Sequence, residues 1–174
     1  ATTSGTLVMN LYSTDKVPTI TPFNPTNVDS YNKSVPMTVY DRLGNEHNLN
    51  MYYVKTGNGT WDVYSMDTST GETWDPANPK AALTTMTFNA SGVLSGMTNE
   101  TVAGNRSISV PVASLNGSAA GTFALNMLGS MQQNNGATSI GSNTQNGYKP
   151  GELVRYAIND DGTVTGTYSN EQSQ

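Results

Sequence analysis

Apolar residues recur at every second position through most of this chain, and that period constrains the fold more than anything else in it. Leu7, Met9 and Leu11 share one parity, as do Val35, Met37 and Val39, and then Leu49, Met51 and Tyr53. Trp61 with Val63, Thr84 with Met86 and Phe88, Ile108 with Val110 and Val112, and Phe123 with Leu125 and Met127 repeat it, and Val154, Tyr156 and Ile158 with Val164 to Tyr168 close the series. Side chains alternate faces along a strand, so a period of two means one buried face and one wet face. Each buried face then needs a second sheet or the far wall of a barrel to cover it. The spacing predicts an all-β fold, an antiparallel, hairpin-rich sandwich or flattened barrel, plus a C-terminal β-hairpin from an adjoining domain.

Composition supports this reading. Thr, Asn, Ser and Gly number 24, 20, 17 and 17, together 78 of 174 residues, whereas charged residues make up only 12%. Such a mixture favours strands and turns over helices. One turn recurs: an apolar residue, Asn or Asp, two further residues, then Gly. It stands at Tyr40-Asp41-Arg42-Leu43-Gly44, Phe88-Asn89-Ala90-Ser91-Gly92 and Ile158-Asn159-Asp160-Asp161-Gly162. The Asx side chain can bond the backbone ahead, and Gly accepts the positive φ that closes the turn. Gly57-Asn58-Gly59 marks a fourth tight turn. Leu125, Leu128 and Met131 have helical spacing, so residues 123–133 read as a strand followed by a turn or short helix.

Three stretches read as connections. Residues 14–34 carry Pro18, Pro22 and Pro25, which remove ladder donors. Residues 67–80, with Trp74, Pro76 and Pro79, read as a surface loop. Residues 129–151 are rich in Gly, Asn and Gln with little apolar pattern, and read as a boundary between a domain at 1–148 and a hairpin at 149–174.

Several chemistries drop out. No Cys means no disulfide, thiol nucleophile or zinc-thiolate site. A net charge of −5 with scattered Lys and Arg argues against nucleic acid as a partner. No apolar run approaches the roughly 18 residues of a membrane span, and residues 1–30 lack the pattern of a secretory signal. The lone histidine, His47, follows Glu46, but strand neighbours face opposite ways and do not pair. It reads as a solvent-exposed residue at the start of a strand. Asn159 to Gly162 resembles part of a calcium loop, but Gly falls at position four instead of six, and position twelve is Asn170 instead of Glu. A hairpin turn explains it better. Asn-x-Ser/Thr sequons at Asn32, Asn58, Asn89, Asn99, Asn105 and Asn116 arise readily in such a composition. Tyr12, Tyr52 and Tyr64 could stack on sugars, though cross-strand packing is their commoner use. The residues alone describe an all-β domain with no visible catalytic, cofactor or metal site. That absence favours a binding or structural role.

Particular words in the chain are more specific. Ser13-Thr14-Asp15-Lys16-Val17-Pro18 precedes Ser30-Tyr31-Asn32-Lys33, Thr38-Val39-Tyr40-Asp41 and Gly44-Asn45-Glu46-His47. Ser130-Met131-Gln132-Gln133-Asn134 then leads to Gln145-Asn146-Gly147-Tyr148-Lys149-Pro150-Gly151, and Tyr168-Ser169-Asn170-Glu171-Gln172 follows near the end. In this order the sequence resembles the bacterial flagellar hook proteins across 2–174. The resemblance implies a non-enzymatic structural subunit of a curved tube that transmits motor torque from rod to filament. It implies residence outside the cell, after export through the flagellar type III apparatus. Its partners would be other copies of the hook protein, with cap, rod and hook–filament junction proteins beside the full-length chain. Hook proteins carry apolar heptad-like helices at both ends, and none stands here. The expectation is an excised middle piece, monomeric alone, whose polar outer surface makes sliding contacts and whose 129–151 stretch is a hinge. A carbohydrate-binding or adhesin-type β domain is the alternative.

Overall fold

The computed structural model describes residues 1–150 and the backbone of Leu153–Ile158 and Val164–Tyr168. Five strands form an antiparallel meander: β2 (Lys33–Tyr40), β3 (Glu46–Gly57), β4 (Thr60–Asp67), β5 (Thr84–Phe88) and β6 (Leu94–Met97), paired in that order. The second sheet holds β1 (Ser4–Tyr12), β7 (Ser107–Val112), β8 (Gly121–Asn126), β9 (Met131–Gln133) and β10 (Ser139–Gln145), in the order β10-β1-β8-β7 with β9 beside the end of β1. This sheet is mixed. β1 runs parallel to β8 and β9, because the whole meander intervenes before the chain returns, and parallel pairing needs such a long crossover.

The alternating rows from Leu7 to Met127 turn inward. One core joins Leu7, Met9 and Leu11 of β1 to Val35, Met37 and Val39 of β2 and Leu49, Met51 and Tyr53 of β3. Trp61, Val63, Met86 and Phe88 continue it across the meander, and Ile108, Val110, Val112, Phe123, Leu125 and Met127 face them from the other sheet. The fold is an all-β sandwich.

The recurring turn is built as its sequence implies. The Asp41 carboxylate accepts from the Leu43 and Asn45 N–H groups, and the Asn89 side chain accepts from those of Ser91 and Val93. Gly44 and Gly92 sit at φ 80° and 79°, and each donates back to the carbonyl of its Asx residue. The third copy of the turn, and the calcium-like segment inside it, lie outside the described residues. The strands flanking it, β11 (Leu153–Ile158) and β12 (Val164–Tyr168), pair antiparallel with Ile158 opposite Val164.

Residues 129–151 depart from the sequence reading. They carry two strands and are not a loose connection: β9 lies beside Asn10 to Tyr12, and β10 runs antiparallel to β1 from Gly5 opposite Gln145 to Asn10 opposite Ser139. β10 is mostly exposed, so it shows no apolar rhythm. Backbone pairing and side-chain amides hold it, with Asn143 donating to the Pro36 carbonyl and Asn146 bonding Thr3 and Ser4. Within 123–133 the helical spacing is not used. β8 passes through a turn at 127–130 into β9.

Candidate functional site

Three core-facing rows of the meander end in ionisable residues instead of hydrophobes. The row Val35, Met37, Val39 runs on to Asp41, the row Tyr53, Met51, Leu49 runs on to His47, and the row Trp61, Val63, Ser65 runs on to Asp67. Because the strands are adjacent, the three side chains meet. His47 is fully buried, with Nδ1 2.6 Å from Asp67 Oδ2 and Nε2 2.7 Å from Asp41 Oδ2. The expectation of an exposed histidine is therefore wrong. Its parity with Leu49, Met51 and Tyr53 was the signal that could have placed it inside. Glu46, on the opposite face, is exposed, as the alternation requires.

Burial works to lower the pKa of His47. Hydrogen bonds to Asp41 and Asp67, and the charge of both carboxylates, outweigh it and hold the imidazole above its ordinary value. Burial likewise works to raise Asp41, but bonds from His47, Asn45 and Leu43 hold its carboxyl below the usual range. The imidazolium is the form that fits, since only it donates from both nitrogens. A general base needs one ring nitrogen free to receive a proton, and here both face carboxylates. The cluster ties parts of the fold together. Asn45 Nδ2 donates to Asp41 and to the Leu115 carbonyl, and the Ala113 N–H reaches Asp67 Oδ2 at 3.4 Å.

The tyrosines considered for sugar stacking do not form an open platform. Tyr52 stands opposite Tyr64 across β3 and β4, and Phe23 lies on Tyr64 with centroids 4.1 Å apart at 15°. Tyr31, Tyr52 and Trp74 meet the same Phe23 ring at an angle. This second apolar cluster pins the Pro-rich 14–34 loop and the 67–80 loop to the outer face of the meander. Tyr12 ends β1 elsewhere and is half-buried. Lys55 secures the start of the same Pro-rich loop, donating to the Ser13 and Asp15 carbonyls at 2.8 and 2.7 Å.

Several sequons serve as turn scaffolding. Asn89 organises its turn, Asn105 accepts from the Ser107 N–H, and Asn99 and Asn116 occupy positive φ. What faces solvent is polar and weakly charged. A groove of about 650 Å³ at one end of the sandwich is lined by Asn58, Ser91, Gln133, Asn134 and Asn135, without a charged side chain. Large exposed hydrophobes such as Val28, Leu43, Val102 and Leu128 lie on separate loops.

Residues 10–148 match the family described as Flagellar basal body protein FlaE D2 domain. The flagellar hook protein FlgE of Escherichia coli (strain K12) is 48% identical over 173 residues, 99% of this chain. That of Salmonella typhimurium (strain LT2) is 49% identical over 177 residues, spanning the whole chain. The chain spans 40% of the length of both relatives. The crystal structure of Helicobacter pylori flagellar hook protein FlgE2 aligns over 82% of this chain and 30% of its own, at 16% identity and a TM-score of 0.46. A match that reaches from within β1 to just beyond β10 takes in both sheets of the sandwich, and on that ground the chain belongs to the flagellar basal body protein FlaE D2 domain family.

Proposed function

We propose that this chain is the outer β portion of a flagellar hook subunit, a structural piece without catalytic activity of its own. The observation that carries this is its 48–49% identity to two hook proteins along 99–100% of its length. In this reading the subunit works outside the cell, reached through the flagellar export apparatus, and other copies of the hook protein are its main partners. Cap, rod and junction proteins meet the full-length chain.

The surface supports a role in contacts that must be remade as the tube rotates. A bending tube shortens on one side and lengthens on the other at each turn. Polar, wet contacts exchange partners cheaply, whereas a large apolar interface would fix one geometry. The sandwich, with one continuous core between its sheets, moves as a block. Domain 1–148 and a hairpin at 149–174 that belongs to the adjoining domain remain our division, and the end of the family match at residue 148 supports it. With β9 and β10 inside the sheet, the hinge expected at 129–151 does not fit that stretch. The adhesin alternative loses its ligand surface, because its aromatic rings pack on one another.

Immunogold electron microscopy of flagellated source cells, with antibody to this chain, tests the assignment. Gold on the short curved segment at the filament base is expected. Gold on the rod or elsewhere on the cell surface would refute it.

A further inference from the structure

We propose that His47, clasped between Asp41 and Asp67, is a proton-operated latch that fastens the start of the β7–β8 connection, at Ala113, to the end of the sandwich and releases it when the ring loses a proton. The connection, residues 113–120, leaves the sheet at Val112 and returns at Gly121. It has no ionisable side chain of its own. Two of its backbone groups are held by the cluster: the Ala113 N–H by Asp67 Oδ2 and the Leu115 carbonyl by Asn45, which Asp41 in turn orients.

The latch depends on how many protons the ring carries. The imidazolium donates one N–H to each carboxylate. When base removes one of these protons, the electron pair stays on that nitrogen and faces a carboxylate oxygen less than 3 Å away in a buried setting. One of the two bonds becomes a repulsion, and one carboxylate must move.

The side that yields follows from the remaining bonds. Asp41 keeps four hydrogen bonds, from the Leu43 and Asn45 N–H groups and from the Asn45 side chain to both its oxygens. Asp67 keeps Ser69 N at 3.2 Å and the long 3.4 Å contact from Ala113. Asp67 therefore swings, and Ala113 loses its acceptor. Solvent reaches both ends of the cluster through small clefts. One of about 130 Å³ lies beside Asp41, and one of about 120 Å³ lies beside Asp67.

The other charged groups around the cluster are few. Arg42 lines the Asp41 cleft, and Glu72 and Lys80 line the Asp67 cleft as an ion pair. Glu46 stands on the opposite face of β3 near Lys149. None of these comes between the ring and its two carboxylates, so the His47 proton decides the state of the latch.

His47 is the only histidine in the chain, so its ring signals are unambiguous in an NMR titration. The 174-residue protein is titrated from pH 5 to 10 while the His47 ring and the amides of 113–120 are followed. The expected ring midpoint lies above the ordinary value of about 6.5. The Ala113 amide is expected to shift with that same midpoint, while Leu115, held through Asn45 on Asp41, stays in place. Hydrogen exchange at Ala113 should then accelerate beyond its intrinsic rise with pH, while Leu49 and Trp61 stay protected. A midpoint at or below 6.5, or an Ala113 amide indifferent to the ring, overturns the proposal. Asp67→Asn, which removes one carboxylate charge, should lower the midpoint, and an unchanged midpoint would count equally against the latch. His47→Gln, if it folds, should abolish the transition at Ala113.

Discussion

The indole N–H of Trp61 donates to the side-chain carbonyl of Gln132 at 2.7 Å, which ties a fully buried ring in the meander to the short strand β9 of the facing sheet. Replacing Gln132 with Leu leaves that N–H buried and unpaired. A loss of about 1–3 kcal/mol is expected, the usual penalty for an orphaned buried donor. Adding Trp61→Phe removes the donor, so the double variant should lose less than the two single losses combined. Urea unfolding of the four proteins measures the coupling, and strict additivity would deny the bond any role.

Gly92 and Gly71 share a left-handed backbone but not a neighbourhood. A Cβ on Gly92 would lie 2.2 Å from the Gln132 carbonyl oxygen, whereas one on Gly71 would meet nothing within 4 Å. Gly71→Ala should cost only the left-handed penalty of about 1–2 kcal/mol. Gly92→Ala should cost clearly more, because β9 must move away. Equal melting points for the two variants would contradict this account.

The rows of alternating hydrophobes and the Asx–Gly turns were legible because each uses local rules: pleat parity and the backbone reach of Asp41 and Asn89. β10 was not legible. Its Ser, Gly, Asn and Thr bury almost nothing, and its place is set by ladder bonds to β1 and by amides from Asn143 and Asn146, which leave no periodic trace. The Asp41–His47–Asp67 cluster was half legible. Each residue continues a buried row by parity, yet a sequence does not show that adjacent rows end at one level until the register is known. Phe23 presents the same difficulty, since its partners sit on β3, β4 and a distant loop.

Tyr53 is buried with no hydrogen-bond partner for its hydroxyl among the described residues, and burial pushes its pKa far up. Removing an unsatisfied polar atom from a core costs little and relieves desolvation. Tyr53→Phe should therefore match or exceed the parent in thermal stability. A drop of several degrees in calorimetry would mean the hydroxyl has a partner in solution, such as a buried water.

Phe23→Ala should cost about 3 kcal/mol, at the lower end for a buried aromatic, because the cluster is peripheral. The damage should be local. Amides of 14–32 are expected to exchange faster while those of the central core hold, and a uniform loss of protection would contradict a separate outer cluster.

Acid should weaken the fold through Asp41. Its folded pKa is depressed, so its contribution is present above the ordinary carboxyl value near 3.9 and fades as pH falls through the lower folded value. Denaturant midpoints from pH 6 down to pH 2 should decline for the parent. The decline should be shallower for Asp41→Asn, which carries no titrating group at that site. Parallel curves would place the acid sensitivity elsewhere.

The Asn146 side chain accepts from the Thr3 and Ser4 N–H groups at 2.9 and 3.0 Å, so the chain enters and leaves the sandwich through a single doorway. Since β1 and β10 are antiparallel, a pull applied at Thr3 and Asn146 would peel them apart rung by rung, starting at Gly5 and Gln145. A sideways push on the sandwich meets the whole core instead. The sandwich is weak against a pull that opens β1 from β10 like a zip and stiff against a push across its core.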